Sequence, residues 1–252
     1  MTAKKLEVVP SRKYVQDNQL ISAQYSRGLS LLGEKLIRIA ISNINSKMDT
    51  DFFLYTCNLN ELAKELGIQE SRHIYRDVKK ASAELLDTKI LIEDKRTKAY
   101  RRYTMFSYFD YAPGTGTISI KFNSDMAQFL LGLQQKFTQI QLSDVLFMRH
   151  SKYSIRIYEY IKLKLKNKLP AGRKTVQIDC SIDEIRQAAG IQETYRQVGQ
   201  LRQYVLAPAF QDIEEQADIH IEAEDIKNGR RIVGFRLTLY SRLAWEYKVK
   251  TS

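Results

Sequence analysis

A fifteen-residue stretch of this chain occurs twice, and that duplication restricts the available folds more than any other feature. Residues 57–71 read CNLNELAKELGIQES and residues 180–194 read CSIDEIRQAAGIQET. Cys57/Cys180, Glu61/Glu184, Gly67/Gly190, Ile68/Ile191, Gln69/Gln192 and Glu70/Glu193 are identical. Leu59/Ile182, Asn60/Asp183, Leu62/Ile185 and Ser71/Thr194 keep their type. Each copy reads as a short helix, a glycine turn and the cap of a second helix, which is the helix-turn-helix plan. Asn60 and Asp183 read as caps of the first helices. Gly67 and Gly190 fall where a helix end needs positive φ. Ser71 and Thr194 read as openings of the second helices, the first running to about Leu86.

The flanking patterns repeat as well. In the first half, residues 30–45 show helical spacing (Leu32, Leu36, Ile39, Ile44) with Ser30 as cap. Phe52–Cys57 follows as a strand. After the helix pair come β-rich runs at Lys89–Glu93, Arg101–Tyr111 and Thr117–Phe122. They are separated by Lys95–Ala99 and by the turn Pro113-Gly114-Thr115-Gly116. Asn123 or Ser124 opens a further helix through Leu133. The second half repeats the order with an amphipathic helix at Lys152–Lys168, a break at Leu169-Pro170-Ala171-Gly172 and a strand at Thr175–Cys180. After its helix pair, a hairpin runs from Ile219–Glu224 through Lys227-Asn228-Gly229 to Ile232–Tyr240. Helix, strand, helix-turn-helix, hairpin is the winged-helix order. The expected fold is therefore α+β, two tandem winged-helix domains related by duplication. Residues 1–17 read as a basic flexible tail (Lys4, Lys5, Arg12, Lys13), 18–142 as the first domain and 143–252 as the second, with the boundary between about 138 and 150.

Charge points to the partner. Lys+Arg total 40 against 29 Asp+Glu, a net +11, which favours nucleic acid first and an anionic membrane second. At about 100° per residue, the second helix of the first unit carries Ile74, Val78, Ala81 and Leu85 on one side. Arg72, Arg76, Lys79 and Lys80 lie on the other, with His73 at the edge. In the second unit Val198, Leu201 and Val205 form the core stripe. Arg196, Gln200 and Gln203 point away from it, and Tyr195 and Arg202 stand on the shoulders. Gln pairs bidentately with adenine and Arg with guanine, so this face suits base reading, while the first suits phosphate contact. Lys227, Arg230 and Arg231 put cations on the second wing, suited to backbone or minor-groove contact. Two such units in one chain would engage groove segments roughly 10 bp apart and read an asymmetric site.

Other chemistries find little support. The two Cys, at equivalent repeat positions, offer neither a zinc cage nor an expected disulfide. No G-x-x-x-x-G-K-[ST] is present, so no ATP site is expected. His73, His150 and His220 are not arranged as the paired ligands of a nicking enzyme, and no tyrosine has a neighbouring base to activate it. Glu214, Glu215 and Asp218 near His220 match no ligand spacing. Neither catalysis, metal nor cofactor is expected. Residues 1–19 lack the apolar core of a signal peptide, and no 18-residue apolar run would span a bilayer, so a cytoplasmic setting is expected.

Three segments resemble a known family. Phe129–Gln139 (FLLGLQQKFTQ) is similar to the GLQ-x-(R/K)-FTQ segment of iteron-binding plasmid replication initiators of the RepE/RepA type. Tyr153–Glu159 (YSIRIYE) is similar to their Y-x-x-R-(L/I)-YE helix. Tyr195, Leu201, Arg202 and Leu206 follow their Y-x₅-(F/L)-R-x₃-L pattern, with Arg76-Asp77-Val78-Lys79 and Gly229-Arg230 as further likenesses. The resemblance implies binding of origin direct repeats (iterons), melting of a neighbouring AT-rich region, and recruitment of host initiator, helicase and chaperones. It also implies a dimer, paired through the first domain, that represses its own promoter. A winged-helix repressor without an initiation role is the alternative. A DNA-nicking enzyme and a membrane-surface protein stand further off.

Overall fold

In the computed structural model the chain forms two compact units, residues 1–147 and 148–252. Residues 3–67, 74–93, 97–166, 171, 174–191 and 193–251 are described. Ser71, Arg72, His73, Lys95, Leu169, Pro170 and Gly172, all named above, lie outside them.

The first unit runs β1 (Ala3–Lys5), β2 (Lys13–Asp17), α1 (Asn18–Ile21), β3 (Gln24–Tyr25), α2 (Leu31–Ser42), β4 (Leu54–Asn58), α3 (Leu59–Glu65), α4 (Ile74–Asp87), β5 (Lys89–Glu93), β6 (Tyr100–Thr104), β7 (Phe106–Ala112), β8 (Thr117–Phe122), a 3₁₀ turn (Ser124–Met126), α5 (Ala127–Leu130), β9 (Phe137–Gln141) and α6 (Ser143–Leu146). Its main sheet is ordered β1-β4-β8-β7; β3-β5-β6 and β2-β9 form smaller ones. The second unit runs α7 (Ser154–Lys164), β10 (Thr175–Ser181), α8 (Ile182–Ala189), α9 (Val198–Leu201), a π turn (Arg202–Leu206), α10 (Ala207–Ala217), β11 (Ile219–Asn228), β12 (Arg231–Ser241) and α11 (Arg242–Thr251). Its sheet is ordered β10-β12-β11.

The duplication is visible in this topology. In each unit a strand precedes the helix pair and pairs with the last strand of the wing hairpin, giving β4-β8-β7 and β10-β12-β11. Cys57 faces Ile118 in one and Cys180 faces Phe235 in the other. Both thiols are buried and free. Burial pushes them up, Cys57 to about 12 and Cys180 to about 11.

The caps sit two residues earlier than expected in both copies. Asn58, not Asn60, accepts from the Asn60 and Glu61 amides at 2.9 and 3.3 Å. Ser181, not Asp183, forms a reciprocal capping box with Glu184. The reason is packing: the buried stripe Leu59, Leu62, Ala63, Leu66 follows i, i+3, i+4, i+7 spacing only if the helix has begun at Leu59. Gly67 (φ 65°) and Gly190 (φ 70°) take the expected left-handed positions.

The expected flexible tail is instead part of the first unit. β1 pairs in parallel with β4, and β2 pairs antiparallel with β9. Tyr14 and Gln16 point inward, 1% and 2% exposed, while Lys13 stays outside. Period-two alternation in Lys13–Asp17 was hidden by the basic composition around it. The run Arg101–Tyr111 divides at Met105 between two sheets, because Met105 and Phe106 are consecutively buried and break the alternation. The helix expected to reach Leu133 stops at Leu130, where Leu131 turns extended and Gly132 adopts φ 62°.

In the second unit α7 is not amphipathic. Ser154–Lys162 is buried on every side, packed against α8 and α10. The Tyr-x-x-Arg motif has a structural task here: Arg156 donates to the carbonyls of Gln187 and Ala188 at the C-terminus of α8. α11 was not anticipated. Its Trp245 stacks on His220 with ring centroids 3.3 Å apart and planes at 19°.

That stack reports on pH, because Trp245 is the chain's one tryptophan. Burial holds the His220 imidazole below its ordinary 6.5; Lys248 adds to the effect and Glu222 opposes it. The Glu214 carboxylate lies against Nδ1. A base whose folded pKa is depressed stabilises the fold in its neutral form, so this contribution is present above pH 6.5 and fades as pH falls below it. Trp245 emission is expected to be quenched as imidazolium forms, with a midpoint below 6.5. A midpoint above that value would show that Glu214 outweighs burial.

Candidate nucleic-acid interface

α4 is the second helix of the first helix-turn-helix, and its two sides separate by polarity. Val78, Ala81 and Leu85 are buried, packing the helix against α2 and β7. Arg76, Lys79 and Lys80 are exposed on the opposite side. Arg76 makes a 3.4 Å contact with neighbouring Asp77, which leaves its side chain 70% exposed. Tyr75 stands beside them, its ring tilted at 46° against Tyr111 of the wing with centroids 4.9 Å apart. The wing turn itself, Pro113–Gly116, carries no cation.

The second unit is built differently. The helix expected from Thr194 begins only at Val198, after Gln197 as cap. The preceding loop is held by Arg186, which donates to the carbonyls of Thr194 and Tyr195 at 2.9 Å each. Tyr195 sits at φ 54°, and its ring stacks on Tyr204 at 5.6 Å. Tyr204 is half exposed and was missed as a face residue. From Val198 the helix runs through a π turn into α10. Pro208 has no N–H to offer the carbonyl four residues back and clashes with it, so one wider turn absorbs the misfit. Leu201 and Val205 are buried as expected, while Arg196, Gln200, Arg202 and Gln203 are exposed.

Arg196 is ion-paired with Glu193, and Arg202 with Asp225 of β11. The partner of Arg202 was not anticipated, because 23 residues separate the two. The wing closes as a two-residue turn, with Asn228 paired to Arg231 and Gly229 at φ 60°. Lys227 and Arg231 therefore belong to the strands, and Arg230 is the cation at the tip. All are exposed. The structure thus gathers Arg76, Lys79 and Lys80 on one unit. On the other it places Gln200, Arg202 and Gln203 on the helix, Tyr195 and Arg196 in the loop before it, and Lys227, Arg230 and Arg231 on the wing.

A family model described as initiator replication protein, WH1, matches residues 13–162. A second, initiator Rep protein, WH2, matches residues 181–239. The chain belongs to the initiator replication protein family. Both units of this family member are winged-helix domains. A replication initiation protein of Escherichia coli is 25% identical over 195 residues, 77% of this chain. The match spans 57% of that relative's length. A solved structure of the Pi initiator protein in complex with iteron DNA superposes with a TM-score of 0.71 at 19% identity. That likeness covers 93% of this chain and 99% of the Pi chain, and it shows a shared fold. Among the described residues, no group of three His, Cys, Asp or Glu could hold a metal ion. None of the described helices is long and apolar enough to cross a membrane.

Proposed function

We propose that this initiator-family chain starts plasmid replication by binding duplex direct repeats at an origin, without catalysis of its own. The observation that carries the reading is that family models match both units, and each unit exposes a polar or basic second helix. In this reading α4 supplies phosphate contacts and the Val198–Leu206 segment reads base edges in the major groove. The wing cations Lys227, Arg230 and Arg231 add backbone contacts. Two non-identical faces on one chain suit a non-palindromic, directly repeated site. Bound DNA would melt locally beside the repeats and receive the host initiator, helicase and chaperones. A second copy would pair through the first unit to give the repressing form. The work takes place in the bacterial cytoplasm, at the plasmid. The Pi structure, solved with iteron DNA, supports the reading through its shared fold.

The direct test places the gene and its flanking DNA on a circle with no other origin and introduces it into a host. Establishment of the circle is expected, with loss when the repeats are deleted. Repression of the gene's promoter without establishment would favour a repressor instead. A finer expectation concerns Lys79, exposed on α4. Lys79→Ala should weaken cognate and scrambled duplexes alike and flatten the salt slope by about one unit. A loss confined to the cognate duplex would place Lys79 at a base edge.

A further inference from the structure

Arg202, the candidate guanine reader, is held and not free. Its Nη2 is ion-paired with Asp225 Oδ1, and its guanidinium lies over the Phe235 ring, 5.3 Å from the centroid. Asp225 and Phe235 stand directly opposite each other across β11 and β12. One cross-strand pair therefore supplies both the carboxylate and the ring. The seat is firm, because Phe235 is fully buried and its backbone also faces Cys180 of β10. Asp225 is the better shielded partner, its side chain 24% exposed against 48% for Arg202. Just beyond it the strand shifts register at Ile226/Lys227, and the remaining wing is cationic.

This acid sets a negative charge beside the exposed cations of the second helix and wing. An arginine free to reach a phosphate adds sequence-independent, salt-sensitive affinity. Arginine has five N–H donors, and a bidentate guanine contact uses two. The contact to Asp225 engages one amino group, so the fork retains donors for a neutral base edge. A phosphate at the same place would sit beside the Asp225 carboxylate, and like charges repel.

We propose that Asp225 is a specificity-determining positioning residue, which holds Arg202 for a guanine edge and withholds it from backbone phosphate. The proposal rests on the DNA-binding reading above. Its test uses the full chain as wild type, Asp225→Asn, Asp225→Glu, Arg202→Ala and Arg202→Ala/Asp225→Asn. Each is titrated over a range of salt with a duplex carrying the repeat selected by the wild type, and with a scrambled duplex. Asp225→Asn is expected to tighten scrambled binding several-fold and steepen its salt slope by about one. The cognate-to-scrambled ratio should fall about tenfold. Asp225→Glu should stay near wild type. In the Arg202→Ala background the Asn substitution should leave the ratio unchanged. An equal gain on both duplexes, or the same gain without Arg202, would reduce Asp225 to general repulsion and overturn the proposal. A wild type that selects no repeat would overturn the DNA reading itself, a distinguishable result.

Discussion

Arg38→Met is expected to destabilise the first unit by about 3–5 kcal/mol. Glu34 and Arg38 lie one turn apart on α2 and form an ion pair whose side chains are each 2% exposed. They sit among Leu36, Ile37, Ile39, Ala40 and Ile41, all buried. Inside such a core the pair gains little over apolar residues of similar size, because desolvation offsets most of the attraction. Removing one partner is different, since it leaves an uncompensated charge where water cannot reach. The double variant Glu34→Leu/Arg38→Met is therefore expected to recover most of the loss. Urea denaturation of the full chain, with hydrogen exchange across α2 identifying the unit that opens, measures both. A single variant within about 1 kcal/mol of wild type would contradict the assignment. α2 packs on α4, so the same variant should lose DNA binding at a lower temperature than wild type.

Asp212→Ala should cost the second unit a similar amount. Asp212, on α10, is fully buried. Its carboxylate accepts from the amides of Arg149 at 2.7 Å, His150 at 3.0 and 3.1 Å and Ser151 at 3.2 Å, and from the Ser154 hydroxyl. It ties the segment Arg149–Ser151 and the Ser154 hydroxyl, at the first residue of α7, to a helix about sixty residues later. Alanine would leave these donors unsatisfied, at about 1–3 kcal/mol for each buried one, although such losses do not add fully. The expected result is a loss of at least about 3 kcal/mol, read from the Trp245 fluorescence transition. Asp212→Asn keeps the shape and one carbonyl acceptor, so it should fall between. If alanine cost less than about 1 kcal/mol, the chain around Arg149–Ser151 would not depend on this carboxylate.

The parts of the fold legible from sequence were those written in local periodicity. The repeated segment located both helix pairs, and Gly67 and Gly190 fell where the chain turns left-handed. The apolar stripe of α4 was readable because the helix is regular. Helix starts were less so, since Asn58 and Asn60, like Ser181 and Asp183, are both capable caps; burial of Leu59 decides the first, and the reciprocal capping box of Ser181 with Glu184 decides the second. β1 and β2 escaped because Lys4, Lys5, Arg12 and Lys13 give the segment as a whole a basic character, although Tyr14 and Gln16 carry the alternation. In the candidate interface the exposed side chains could be assigned by helical phase. Their partners could not, because the Arg202–Asp225 pair depends on how helix meets wing. Pro208 was the visible signal for the π turn, which carries Tyr204 onto Tyr195. His220 and Trp245 come together only because α11 lies against the wing sheet.

The central claim is that two winged-helix units on one chain read directly repeated duplex DNA. Footprinting the DNA that flanks the gene, at a low and a near-physiological salt concentration, tests it most directly. Protection of regularly spaced direct repeats that persists at the higher salt is the predicted result. A single protected palindrome, or binding that disappears with salt and leaves no footprint, would contradict it.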